Sequence, residues 1–174
     1  MGLFNIFSQN PLTLRELINI DQGRKDRSAG LSVNLEEVYH LVRRESLWDR
    51  IKSIFRRSKT QINMYYSVLK FSVNSYSGNS YTVLIEFQPN PDLRVIMNSK
   101  VKVYCSCPSF KFQSAYLLNK KGNLYKSSKT DTLLGQALTE SPDPKKTHTS
   151  TICKHTFACI LWMNDNIEQL MKMM

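Results

Sequence analysis

Two short spacings constrain this chain more than any other feature: C-x-C at Cys105 and Cys107, and C-x-H at Cys153 and His155. Three of the four cysteines and one of the three histidines fall in these two pairs. The first pair closes an alternating run, "SKVKVYCSC" at 99–107, that reads as a strand. Residues i and i+2 of an extended chain point to the same side, so two thiolates one residue apart can share a metal ion. The second pair opens "CKHTFACILWMNDNIEQLMKMM". Its apolar stripe of Phe157, Ile160, Leu161, Ile167, Leu170 and Met171 predicts a helix with Cys153 and His155 in the first turn. Zinc takes four N or S ligands in a tetrahedron, and Cys₃His is a standard closed structural set. A strand end that offers two donors and a helix start that offers two make a compact clamp. The expectation is one structural Zn²⁺ per chain on Cys105, Cys107, Cys153 and His155. His148, in a Pro/Lys/Thr-rich loop, is the rival for the fourth place. Cys159 reads as a small core residue, and His40 as an ordinary histidine.

The metal reading, rather than a disulfide, follows from the expected compartment. "MGLFNIF" lacks a basic n-region and a small-residue cleavage site, so it does not read as a secretory signal. No apolar run approaches the roughly 20 residues that span a bilayer. The protein is expected inside a cell, where thiols stay reduced. With 24 Lys and Arg against 14 Asp and Glu, the chain carries +10. That balance suits a polyanionic partner, nucleic acid first, or simply a soluble basic surface.

Along the chain, residues 1–60 read as a helical N-terminal arm and 61–174 as an antiparallel sheet with the metal-binding C-terminal unit. Thr13 and Glu16 stand at capping-box spacing before a short helix that ends near Gly23. Asn34 and Glu37 repeat that spacing before "VYHLVRRESLWDRIKSIFRR", where Leu41, Trp48 and Phe55 recur every seven residues. With Val38, Ile51 and Ile54 beside them they form an amphipathic stripe over 34–57. Strands are expected at 62–74, 80–88, 93–98 and 99–107, with Gly78 and Asn79 in the turn between the first two. The fold class is thus α+β, with about four antiparallel strands.

The order C-x-C then C-x-H, in a strand-then-helix setting, resembles the SWIM-type zinc finger, a ββα unit whose families are described as binding DNA or mediating protein contacts. The resemblance covers about residues 100–170, and its spacer here, 108–152, is long. A second, weaker likeness is to small cysteine/histidine proteins among the structural genes of tailed bacteriophages, in which C-x-C-P, an aromatic run, "KKG" and a late C-K-H recur. It implies a virion or assembly component, located in a particle or in the host cytoplasm during assembly.

The spacer interleaves Phe110, Phe112 and Tyr116 with basic residues. Lys111, Lys120, Lys121, Lys126 and Lys129 are therefore candidate nucleic-acid contacts; the alternative is a local core ringed by solvated lysines. Trp48, Ile51 and Phe55 are candidate partner contacts on one helix face. Catalysis has little support: there is no H-E-x-x-H, P-loop or G-x-S-x-G, and four protein ligands leave zinc no position for water. The expected function is a noncatalytic, zinc-stabilised interaction protein whose partners are other subunits of an assembly. A DNA- or RNA-binding zinc protein is the alternative. No membrane or small-molecule substrate is expected.

Overall fold

The computed structural model describes residues 11–20, 25–43, 64–88, 93–135 and 151–174. The short first helix, α1 (Leu14–Ile20), is capped as its sequence predicts. The Thr13 N–H donates to Glu16 Oε2 at 2.7 Å, and the Glu16 N–H donates back to Thr13 Oγ1 at 3.2 Å. Leu14 and Leu17 are fully buried. A single turn, α2 (Lys25–Ser28), leads into the sheet.

Four antiparallel strands follow in simple meander order: β1 (Ser32–Arg43), β2 (Met64–Asn74), β3 (Ser80–Phe87) and β4 (Val101–Cys105). The tyrosine-rich run, its partner and the C-x-C strand lie where their alternation predicts. The turn between β2 and β3 places Gly78 at φ 78°, a conformation that favours glycine.

Two expectations are corrected. The helix expected from residue 34 is instead strand β1 up to Arg43. A bulge between Leu35 and Glu37 is the cause. Val33 and Leu35 face Val73 and Phe71; beyond the extra residue the phase shifts, and Val38 faces Leu69. The apolar spacing therefore runs two, then three, which imitates a helical period although every residue is extended. Glu36, the extra residue, reaches Lys70 Nζ at 3.0 Å. Over 14–43, then, the expected arm supplies α1 and β1 to the sheet and its core. The rest of the amphipathic stripe, with Trp48, Ile51 and Phe55, lies outside the described residues. The second correction concerns 93–98, which is a 3₁₀ helix (Leu93–Asn98) rather than a strand. A short apolar run cannot decide between the two by periodicity alone. The chain beside β4 belongs elsewhere: Leu14 N–H donates to the Ser99 carbonyl and Val101 N–H to the Leu12 carbonyl.

One sheet face carries Leu69, Phe71, Val83, Ile85, Phe87, Val101 and Val103, all buried. Against it lies α5 (Lys154–Asp165), followed after Asn166 by α6 (Ile167–Met173). The Trp162 ring meets Phe71 edge-on at 5.5 Å. Every residue from His155 to Ile160 is buried, so beyond the half-buried Lys154 the first turns of α5 present no solvent-facing polar side. On the other face Tyr104 meets Phe110 at 5.8 Å. Phe110 begins a π-helical turn (Phe110–Ser114) that continues as α3 (Ala115–Lys121), and α4 (Ser128–Leu134) follows. The long spacer between the two pairs thus has its own helices and core residues.

Between α3 and α4 the chain runs beside β4. Val103 N–H donates to the Asn123 carbonyl at 2.7 Å, and Tyr125 N–H to the Val103 carbonyl at 3.0 Å. The fully buried Asn123 side chain accepts from Leu12 N–H at 2.9 Å and donates to the carbonyls of Leu12 (2.9 Å) and Val101 (2.7 Å). This one amide clips three distant segments together and covers the β4 edge.

Candidate metal centre

The end of β4 sets up the first pair of donors. Ser106 is held to β3 twice: its N–H donates to the Thr82 carbonyl at 3.0 Å, and its hydroxyl accepts from Thr82 N–H at 3.0 Å. With Ser106 pinned outward, Cys105 and Cys107 turn to the opposite side. The chain then curls into a knuckle, in which the Cys107 carbonyl accepts from Phe110 and Lys111 and the Cys107 sulfur accepts from Phe110 N–H at 3.3 Å. The second pair sits at the start of α5. Cys153 is its N-cap, and its sulfur accepts from Thr156 N–H at 3.5 Å. His155 follows in the first turn.

The fold brings the four side chains together. All are buried, and their donor atoms lie within 4.8 Å of one another. Cys105 Sγ is 4.0 Å from His155 Nδ1, across a sequence separation of 50. A tetrahedron with Zn–S of 2.3 Å has edges of about 3.8 Å, so small adjustments would close this group around one ion. His155 approaches Cys105 through Nδ1, while its Nε2 is buried with no hydrogen-bond partner among the described residues. The His155 ring is held in place by Tyr81, whose ring lies 4.5 Å away at 36°.

The electrostatics point the same way. Burial, then hydrogen bonds with Cys107 and Cys153, push the Cys105 thiol well above its ordinary range. The hydrogen bond with Cys105 lowers Cys107, but Cys153 and burial outweigh it and bring the thiol to about 12. Cys153 goes the opposite way. Burial alone would raise it, yet hydrogen bonds from Cys105, Cys107, His155 and Thr156 hold it well below the usual value. Without a cation, burial thus favours thiols at Cys105 and Cys107, and Cys153 is the donor that most readily gives up its proton. A second thiolate within 4.8 Å would cost about 3–4 kcal/mol or more in repulsion at an effective dielectric near 20. A divalent cation removes that penalty. The donors present fit a soft or borderline divalent ion, and zinc suits three sulfurs and an imidazole best.

Cys159 lies outside the cluster, fully buried on α5, with its thiol raised well above the ordinary value by burial. His40 sits on β1, where its Nδ1 is 3.2 Å from Ser67 Oγ. His148 is outside the described residues. The five spacer lysines are dispersed: Lys120, Lys126 and Lys129 are exposed, and Lys111 and Lys121 half-buried. Lys120 Nζ lies 5.0 Å over the Tyr116 ring, and Lys111 Nζ lies 5.8 Å over Phe112. Phe110 is core, whereas Phe112 is exposed. Tyr81 and Thr156, which orient donors, carry no signal in the motif itself; only the C-x-x-T spacing of Cys153 and Thr156 hints at a cap.

Fold and site define a class: an α+β protein with a four-stranded antiparallel meander and a buried Cys₃His group that can hold one metal ion. No family model, curated protein or solved structure matches the chain. No helix among the described residues is long and apolar enough to cross a membrane.

Proposed function

We propose that this is a noncatalytic interaction protein stabilised by one structural zinc, of SWIM-like design, and that it serves as a component of a large assembly such as a tailed-phage particle. The observation that carries this reading is the closed donor set. Three sulfurs and an imidazole from this chain would complete zinc's tetrahedron and leave no position for water or substrate. When bound, the ion supplies cross-linking rather than chemistry. It ties the end of β4 to the start of α5, and metal binding of this kind is folding free energy. Around it, Ser106 orients the first pair and Thr156 the second. Trp48, Ile51 and Phe55 are the proposed contacts with neighbouring subunits.

Elemental analysis of the purified protein should give about one zinc per chain. Finding none in material prepared without chelator would sink the zinc reading. Mass spectrometry of purified particles tests the assembly role separately, with the chain expected at fixed stoichiometry to the other subunits.

A further inference from the structure

Beside the metal centre lies an open pocket of about 340 Å³, bordered by Cys107 and His155. Five parts of the chain converge on it. Arg27 comes from α2, Ser75 and Ser77 from the β2–β3 turn, Tyr81 from β3, and Ser109 and Lys154 from either side of the metal centre. No carboxylate lines it. Neither Arg27 nor Lys154 has an ion-pair partner among the described residues.

The hydroxyls have capacity to spare. Ser75 and Ser77 share one hydrogen bond at 2.8 Å, and Ser77 also accepts from Asn79 Nδ2 at 3.2 Å. Two hydroxyls carry two protons, and their mutual bond uses one, so one O–H remains to donate into the pocket. Tyr81 is fixed by its ring contact with His155. The pocket thus offers donors and positive charge, and no carboxylate.

We propose that this pocket is a phosphate-binding site and that it takes a phosphodiester of a nucleic-acid strand. The guanidinium of Arg27 provides the forked donor geometry that matches phosphate oxygens, and Lys154 adds a point charge. The volume lies at the small end of ligand pockets, about 300 Å³ and upward. That suits one phosphate with its sugar and leaves the bases outside. The chain's +10 would draw a polyanion toward it. The site is distinct from the five spacer lysines, and the inference does not rest on the assembly reading.

The test uses the zinc-loaded full chain and a fluorescently labelled oligonucleotide, single-stranded and duplex, with anisotropy followed against salt. Inorganic phosphate is titrated separately and as competitor. The Arg27→Gln/Lys154→Gln double variant should lose at least tenfold in oligonucleotide affinity. Its salt slope should fall by about one, the counterions of one phosphate. Arg27→Lys/Lys154→Arg, which preserves the charge, should retain most of the binding, and zinc content measured on every variant separates lost binding from lost folding. Three results overturn the proposal: unchanged oligonucleotide affinity in the double variant; binding of inorganic phosphate with none of either oligonucleotide; or zinc loss with oligonucleotide binding intact, which would make the two cations mere counter-charges of the metal centre.

Discussion

Cys153 holds two positions at once, metal donor and helix cap, and serine separates them. In Cys153→Ser the sulfur donor is gone, but an oxygen remains to accept from Thr156 N–H, the bond now made at 3.5 Å by sulfur. In Cys153→Ala both are gone. The expected pattern has two parts. With chelator present, only the cap matters. Serine should then exceed alanine by about 1 kcal/mol, the usual worth of an N-cap side chain. With free zinc about a thousandfold above Kd, binding to the native state adds about 4 kcal/mol to the wild type. Both variants should forfeit nearly all of it. At about 2–4 °C per kcal/mol for a chain of this size, zinc should raise the wild-type Tm by about 8–16 °C and the variants' hardly at all. The four donors already lie within 4.8 Å in the folded chain, so little of this gain is spent on rearrangement. Urea titrations followed by far-UV circular dichroism give the stabilities, and elemental analysis gives zinc per chain. If Cys153→Ser keeps one zinc with wild-type affinity, the donor assignment is wrong. If serine and alanine are equally stable in chelator, Cys153 does not cap α5.

Metal affinity should fall steeply with acid. The raised thiols of Cys105 and Cys107 must lose their protons on loading, whereas the lowered Cys153 gives up its proton more readily. Loading therefore displaces at least two protons, and log affinity should drop by about two or more per pH unit as pH is lowered from about 8, as a competing chelator can measure; a slope near zero would contradict the raised thiols. Cys159→Ala should leave zinc content at the wild-type value, since that thiol lies outside the cluster, and its loss on substitution would redraw the donor set. Asn123→Ala removes three hydrogen bonds to Leu12 and Val101. It should cost about 3 kcal/mol, or about 6–12 °C in Tm, with zinc retained; a change under about 2 °C would show that the clip is dispensable. Trp48→Asp with Phe55→Asp should abolish incorporation into the assembly while circular dichroism and zinc content stay native, and unfolding of the whole chain instead would make those residues core.

The metal donors were legible in the sequence because each pair is local. Extended backbone turns Cys105 and Cys107 to one side, and the extended N-cap conformation of Cys153 just before α5 sets it beside His155, so the fold had only to bring two ready halves together. Strands β2, β3 and β4 were legible from alternation and from Gly78. What escaped was non-local or out of phase. The one-residue bulge beside Leu35 gave β1 a helical rhythm. The Asn123 clip joins residues 111 apart, and nothing near "KGNLY" marks that asparagine as buried. Arg27 and Lys154 line one pocket from opposite ends of the sequence, so their pairing has no linear signature, whereas the spacer lysines stand out as a local cluster.

The bulge has one more consequence. Among the described residues β1 has only β2 as a neighbour, so its outer side presents backbone donors and acceptors along 12 residues. Long, regular strand edges invite other chains to add on. Here the extra residue breaks the even spacing of those groups at 35–37, and it does so where Glu36 and Glu37, both exposed, would place like charges opposite each other in an antiparallel pairing of two copies centred there. An incoming strand can match one half of β1 or the other, never both in register. The irregularity that disguised β1 in the sequence is also a device that works against edge-to-edge addition of further strands.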